Sequence, residues 1–519
     1  MRFRLLLLAL LFAVPAAATT SIHRTAGAEP PSLDPSLGSG TMAGPALSDM
    51  VEGLVIRGPS KQPEPGCAER WAVSPDRLTW TFHLRPGLQW SDGRPLTADD
   101  FVYSYRRLLD PATGASNAGL FLAIRNARKI IQRQLPPDSL GVHAPDARTF
   151  VVELEFPVPY LLQLLANTQA APVPKHVIET LGRDWARPRS LVSNGPYVLA
   201  ERVPQSFIRL TKNPRYHAAD RVQIDEVYWH PTQDLGAAFR RFRAGEFDVV
   251  LNVAPDDLGW IRKNQPEALH TGPMHATYLL VLNVAREPLT DVRVRRALSL
   301  AIDRDVIANQ LLKTGVRPAW SFVSPGIGGY PGRVSAEEAG MPAAKRIAEA
   351  RRLLDEAGFG PENPLTLPLI YDTQEENRKI MVAVGTMWQA IGVKAEISNV
   401  EFGAALGALR TRNFAVAKSS TFSLYDDPNA FLQQYASQSP TNWAGWRSPA
   451  YDRLLERANA ATDAAERTRL LLEAETVIAS EVPVIPIYYY QGKALVAPRV
   501  KGWWDGAIGT PPSRFLSVE

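Results

Sequence analysis

The chain of 519 residues carries one cysteine, Cys67. One thiol builds no disulfide framework. Its surroundings, Pro-Glu-Pro-Gly-Cys-Ala-Glu-Arg-Trp, offer nothing that activates a thiolate, so it reads as a buried structural residue. Long runs of one charge are also missing. Lys and Arg total 57 against 53 Asp and Glu, a net +4, and two of the positive charges, Arg2 and Arg4, sit at the extreme N-terminus. Interspersed charge of this kind argues against nucleic acid or an anionic membrane as partner. The eight histidines (23, 83, 143, 176, 217, 230, 270 and 275) include no i, i+4 pair and have no cysteine cluster beside them. They read as packing or surface residues, and no metal is expected.

Catalytic signatures are equally scarce. There is no G-x-S-x-G elbow, no Walker loop and no G-x-G-x-x-G. Gly38-Ser39-Gly40 with Gly44 has the wrong spacing for a phosphate cradle and reads as a flexible loop. Two carboxylate doublets, Asp99-Asp100 and Asp426-Asp427, invite comparison with a glycosidase pair. The first follows Thr97 where a helix opens, as a cap does. The second precedes Pro428 as a turn or helix entry. The residues therefore point to binding without turnover and without a cofactor. A hydrolase is disfavoured, and a chaperone that grips unfolded segments is the alternative from another class.

What the sequence does contain begins with residues 1–18, MRFRLLLLALLFAVPAAA. Two arginines, an apolar run and small residues at the end make a cleavable secretory signal, too short in its apolar core to span a bilayer. No cysteine stands near the cleavage site, so a lipoprotein is not expected. No later stretch reaches about 18 apolar residues. At roughly 150 residues per domain, the length predicts two to four domains. Residues 45–57 read as a helix with Leu47, Met50, Val51, Leu54 and Val55 on one stripe. A hairpin is expected at 197–200 and 207–210, and strands at 224–230, 247–251, 277–283, 365–371, 395–399 and 484–490. Helices are expected at 237–243, 304–313, 343–357, 375–391, 449–460 and 463–479, the third stopped by Gly358 and Gly360. Strands alternating with helices give an α/β class.

The most specific stretch is 79–111, TWTFHLRPGLQWSDGRPLTADDFVYSYRRLLDP. An alternating strand, Thr79 to Leu84, ends at Arg85-Pro86-Gly87. Trp90 leads into a Ser91-Asp92-Gly93 turn, and a helix opens at Thr97 and runs through Phe101, Tyr105 and Leu108. With Glu29-Pro30-Pro31-Ser32-Leu33-Asp34-Pro35, Ser193-Asn194-Gly195-Pro196-Tyr197 and the phrase from Asp291 to Asp303, this block resembles the extracytoplasmic solute-binding proteins of family 5, the peptide- and nickel-type periplasmic receptors of ABC importers. The resemblance covers nearly all of the chain after the leader.

The resemblance implies a two-lobed periplasmic binding protein of class II, cluster C type, with an extra domain in the first lobe and a hinge of two crossovers near Ala276 and Pro486. Domain I would comprise 19–51, 187–276 and 486–519, domain II 52–186 and domain III 277–485. It implies a monomer in the periplasm that takes a peptide or peptide-like ligand and meets the permease subunits of an inner-membrane importer. Ser39 and Thr41 would border the cleft. Asn252 and Tyr490 match cleft positions as they stand. Phe402 takes the place of a cleft aromatic, Lys418 that of a cleft arginine and Asn117 that of an aromatic. Leu409 stands where a relative has arginine, with Arg410 adjacent, and Val281 stands where one has an acid. Phe422 would also line the cleft, two residues before the most telling position. There, relatives open an Asp-Tyr-x-x-Pro phrase whose acid pairs with the ligand ammonium; here the phrase is Leu424-Tyr425-Asp426-Asp427-Pro428. Losing such a pair costs about 2–5 kcal/mol in interfaces. Either Asp426 or Asp427 reaches in instead, or the ligand has no free amine.

Overall fold

The computed structural model describes residues 19–519 except 39, 61, 116, 334–335 and 507–509, so the leader expected at 1–18 and Ser39 lie outside the described residues. The chain begins with Ser21–Ala26 (β1), followed by the helix Gly40–Met50. Val55–Arg57 (β2) and Pro63–Pro65 (β3) form a small ribbon. Ala68–Val73 (β4), Thr79–Leu84 (β5), Val142–Asp146 (β6) and Thr149–Glu153 (β7) make a four-stranded antiparallel sheet, order β4-β5-β7-β6. The chain then returns as Tyr197–Val203 (β8), Phe207–Lys212 (β9), Glu226–Pro231 (β10) and Val249–Leu251 (β11).

A long strand, Leu269–Leu282 (β12), carries it onward to Arg317–Pro318 (β13), Leu365–Asp372 (β14), Val393–Val400 (β15) and Val416–Phe422 (β16). A second long strand, Val484–Val496 (β17), carries it back. The main sheet has eleven strands in the order β15-β14-β16-β12-β17-β11-β1-β10-β9-β8, with β13 paired to β17. One half is β8 to β11 with β1, and the other is β14 to β16. Among the described residues, the two halves are joined within the sheet only through β12 and β17, which pair from Leu269↔Leu495 to Val281↔Val484 with a bulge between Pro273 and Thr277. The fold is a two-lobed α/β architecture with an added small sheet and two crossing strands.

Where they run through the second half, the crossing strands are buried on both faces, which is why 277–283 and 484–490 read as apolar runs rather than as alternating ones. Side chains of β12 point alternately to two cores. Tyr278, Leu280 and Leu282 enter a core with Leu298, Leu367 and Trp388, while Leu279 and Val281 enter one with Phe322, Phe431 and Tyr451. That second core extends into the small sheet, where Phe82, Trp90, Tyr105 and Phe150 lie in the same cluster. The signature block is thus a packing device. Phe82 and Leu84 of β5 are buried, and Phe101 and Tyr105 of the helix Ala98–Leu109 set their rings 5.6 and 5.3 Å from Phe150. The Thr97 N–H donates to Asp100 at 2.9 Å, so the first carboxylate doublet is a cap, as expected.

The helix expected over 45–57 runs from Gly40 to Met50, and Val55–Arg57 is a strand instead. The cause is tertiary. The Glu52 carboxylate, fully buried, accepts from His217 at 2.6 Å, from Arg514 at 2.7 Å and from the Tyr216 hydroxyl. Asn194 clasps the Glu52 main chain through its Nδ2 at 2.7 Å and its Oδ1 at 3.1 Å. A helix cannot continue through that clamp. Gly195 closes it: a Cβ there would stand 2.4 Å from the Met50 carbonyl oxygen. Gly44, read as part of a flexible loop, lies inside the same helix. Cys67 is buried beside Glu52, and burial pushes its thiol well up, as a structural residue requires.

Strand pairing also joins two histidines that are distant in sequence. His23 Nδ1 and His230 Nε2 are 3.1 Å apart, and His230 Nδ1 lies 3.2 Å from the Ser206 carbonyl. Both rings fit as neutral imidazoles, and among the described residues no third ligand completes a metal set. Burial lowers His230 to about 4, with the His23 and Arg241 charges acting the same way. The unfolded chain then binds a proton that the folded one refuses, so stability falls as pH drops from 6.5 towards 4. About 2 kcal/mol is at stake after allowance for partial exposure. Denaturant unfolding at pH 7 and pH 4.5 should show that loss, and His230→Gln should shrink it; an equal loss in both proteins would reject the assignment.

Candidate ligand-binding cleft

The topology locates the site. In one half of the sheet β1 runs parallel to β10 and β11, and in the other β14 runs parallel to β15 and β16. Ligands bind outside the carboxyl ends of such strands. Those ends face each other. Phe422, which ends β16, pairs with Ala276 beside the bulge, and Leu251, which ends β11, pairs with Ala494 across the same crossing. Asn252, next in the chain, takes a left-handed φ of 65° and donates its N–H to the Lys493 carbonyl at 3.0 Å. The cleft therefore lies over the β12–β17 crossing.

Its wall on the second half is built from alternate residues of β16. Lys418 Nζ lies 3.2 Å from Asp372 Oδ2, with 11% and 8% of the two side chains exposed, and 5.2 Å over the Tyr278 ring. Ser420 and the Tyr490 hydroxyl are 2.9 Å apart, and the Phe422 ring is 5.3 Å from that of Tyr490. Tyr278 stacks on Tyr488 at 4.7 Å and donates to Asn377 at 3.0 Å, while Tyr488 donates to Glu376 at 3.1 Å. Asn377 in turn donates to Asp372. Burial pushes the Tyr490 hydroxyl up to about 12, so it stays neutral. Phe402 opens the helix that follows β15 and is 63% exposed; Phe422 is 47% exposed.

The loop after β16 settles which way its acids point. Asp426 Oδ1 accepts from the Gly328 N–H at 2.7 Å and lies 3.3 Å from His275 Nε2 on the bulge. Gly328 has φ 54°, and a Cβ on it would press on the Asp426 carbonyl, so glycine is required there. Burial alone would raise the Asp426 carboxyl, but His275, the Gly328 amide and the nearby Arg57 guanidinium hold it below the usual range. Asp427 turns inward to Arg467 at 2.8 Å and caps the following turn through the Asn429 N–H at 2.9 Å. Tyr425 stacks on Tyr160, a residue of the small-sheet region, at 4.9 Å, and Asn429 Nδ2 donates to the Tyr160 hydroxyl at 2.6 Å. Leu424 is half-buried against the same core.

Of the residues singled out from sequence, Asn252, Lys418, Phe422 and Tyr490 are tied to this crossing by contacts, and Leu424 follows Phe422 by two residues; Phe402 stands past the end of the edge strand β15 with no described contact to them. Asn117 sits before the short turn Ala118–Phe121, packed with the small sheet, and Arg410 is exposed in the last turn of its helix. No described contact brings either to the cluster. Thr41 lies in the first turn of the helix Gly40–Met50, its side chain outside the described residues. Sequence reasoning missed Asp372, Glu376, Asn377, Tyr278, Tyr488 and Tyr160. For Asp372 a signal existed: it is the polar residue on which an alternating apolar strand ends. Tyr488 and Tyr490 share a strand face while Tyr489 turns away to donate to Ser321, which period-two reading yields.

Removing one partner of the Lys418–Asp372 pair leaves a nearly buried charge. Asp372→Asn should therefore cost about 3 kcal/mol in denaturant unfolding, and the double variant with Lys418→Met should regain much of it. Equal stabilities of the single and double variants would show that the pair is not coupled.

Comparison with known proteins agrees with this geometry. Residues 62–443 match the model of the bacterial extracellular solute-binding proteins, family 5 Middle. The chain is 36% identical over 503 residues to the periplasmic oligopeptide-binding protein OppA of Salmonella typhimurium, covering 96% of this chain and 92% of that one. It is 36% identical over 480 residues to the probable deoxycholate-binding periplasmic protein YgiS of Escherichia coli, covering 92% and 89%. Among solved structures, the murein tripeptide binding protein MppA of Escherichia coli superposes with a TM-score of 0.85 at 34% identity, covering 97% and 99%. OppA of Haemophilus influenzae in complex with RPPGFSPFR gives 0.83 at 32%, covering 96% and 99%. With a family model spanning most of its length and two lobes joined by crossing strands, the chain belongs to the bacterial extracellular solute-binding proteins of family 5.

Proposed function

We propose that the chain is the periplasmic receptor of an ABC importer, a monomer that captures an oligopeptide or peptide-like ligand between two lobes and presents the closed form to the permease subunits. Domain I is 19–51, 187–276 and 486–519, domain II is 52–186 and domain III is 277–485. The observation that carries the reading is the crossing itself: two paired strands with a bulge join parallel-strand edges that face one another. Such a pair bends while the sheet of each half keeps its own pairing, and the ligand acts by favouring the closed arrangement.

Protein contacts assist. The Tyr160–Tyr425 stack and the Asn429–Tyr160 hydrogen bond cross from domain II to domain III. They contribute about 0.5–1.5 kcal/mol and about 1 kcal/mol. Binding is without turnover, since the acids near the cleft are engaged in ion pairs or loop contacts rather than poised about a reacting atom. The same class of receptor for a non-peptide ligand is the second reading. The exposed Phe402 and Phe422 favour it, as does likeness to a relative named for deoxycholate.

Purified protein incubated with a pool of short peptides should retain some of them intact. Small-angle scattering should then show a smaller radius of gyration than for the stripped protein. Tyr160→Phe should weaken peptide retention by about fivefold, the equivalent of one hydrogen bond. An unchanged scattering profile with peptide bound would remove the closing mechanism. Cleavage that survives repurification and vanishes on one substitution would make the chain an enzyme.

A further inference from the structure

The acids around the cleft already have partners. Asp372 has Lys418 at 3.2 Å. Asp427 has Arg467 at 2.8 Å. Asp426 has the Gly328 amide and His275, with the Arg57 guanidinium close by. Glu376 accepts from Tyr488, and the half-buried Lys493 ammonium lies within its field. Leu424 supplies no acceptor. An ammonium arriving at the loop 424–429 would find one carboxylate with any room, Asp426, and would have to share it with the donors of His275 and Gly328 and with a second cation. A charge taken from water without a partner of its own is costly.

The apolar groups at this edge are not spoken for. Among the described residues, three phenylalanines or tryptophans are more than two-fifths exposed, Phe156, Phe402 and Phe422. Two of the three stand at the carboxyl ends of β15 and β16. Leu424 is half-buried two residues beyond Phe422. Large aromatic rings left in water at the mouth of a cleft mark a surface that an apolar partner covers.

We propose that the ligand end lying against the loop 424–429 is uncharged, and that the receptor takes peptides whose amino end is blocked by an acyl group. This rests on the peptide-receptor reading above. An acylated amide keeps a main chain for strand-edge pairing, brings no charge, and offers its acyl chain to Phe402, Phe422 and Leu424.

The test is calorimetry on the whole mature protein with tri- to pentapeptides, each supplied with a free and with an N-acetylated amino end. The wild type should bind the acetylated member at least as tightly as the free one. Leu424→Asp should shift the ratio towards the free amine by tenfold or more, because it supplies the missing acceptor. Phe422→Ser should weaken the acetylated peptides several-fold. A wild-type preference for free amines overturns the proposal, whether or not Leu424→Asp folds, and so does a ratio that a folded Leu424→Asp leaves unchanged. Deoxycholate is titrated in parallel. If it binds and no peptide does in either form, the peptide-receptor reading itself has failed, and the blocked-peptide proposal falls with it.

Discussion

Two antiparallel strands, Leu269–Leu282 and Val484–Val496, carry the whole construction. Among the described residues, they are the only strands through which the two halves of the eleven-stranded sheet pair with each other. Each is buried on both faces where it runs through the second half, so neither can slip by a residue without turning one core inside out. The bulge between Pro273 and Thr277 interrupts the ladder at the crossing, where a bend disturbs the fewest bonds. Everything functional is stationed relative to that point. His275 lies on the bulge, Phe422 ends opposite it, Tyr490 stands just before the crossing on the partner strand, and Asn252 lies just beyond it.

The second constraint is electrostatic. A cleft that closes on a ligand removes water from its walls, and every charge left in the wall then needs a partner. This chain answers with pairs internal to the protein, Lys418 with Asp372 and Asp427 with Arg467, and with a set of tyrosine hydroxyls that burial keeps neutral. The loop that follows β16 spends its acids on holding itself: Asp426 on the 326–329 turn and His275, Asp427 on Arg467, and Tyr425 and Asn429 on Tyr160. Such a loop is a structural joint between the halves as well as a wall of the cleft.

Much of this was legible in the sequence, and the reasons are physical. The signature strand, turn and capped helix of 79–111 are local: alternation, a glycine at positive φ and a cap residue determine them without distant help. The helices 343–356 and 449–460 announce themselves by period and punctuation in the same way. The helix expected over 45–57 ends at Met50 because its terminus is fixed by Asn194, His217 and Arg514, residues far along the chain. The choice between Asp426 and Asp427 as replacement anchors stayed open in the sequence because the groups that decide it, His275, Gly328 and Arg467, come from three separate segments. Likewise Lys418 reads as a free cleft cation until Asp372, from a neighbouring strand, is seen beside it. Side-chain partners across a sheet are tertiary facts, and single-residue patterns do not contain them.

The central claim is that two lobes close on a peptide-like ligand whose end at the loop 424–429 is uncharged. Mass spectrometry of what leaves the purified protein on denaturation tests it most directly, with and without treatment of the released material by an amine-acylating reagent. The account predicts masses that fragment as peptides and whose amino ends gain nothing from the reagent. A released pool made of peptides that take up the acyl group at their amino ends would contradict it.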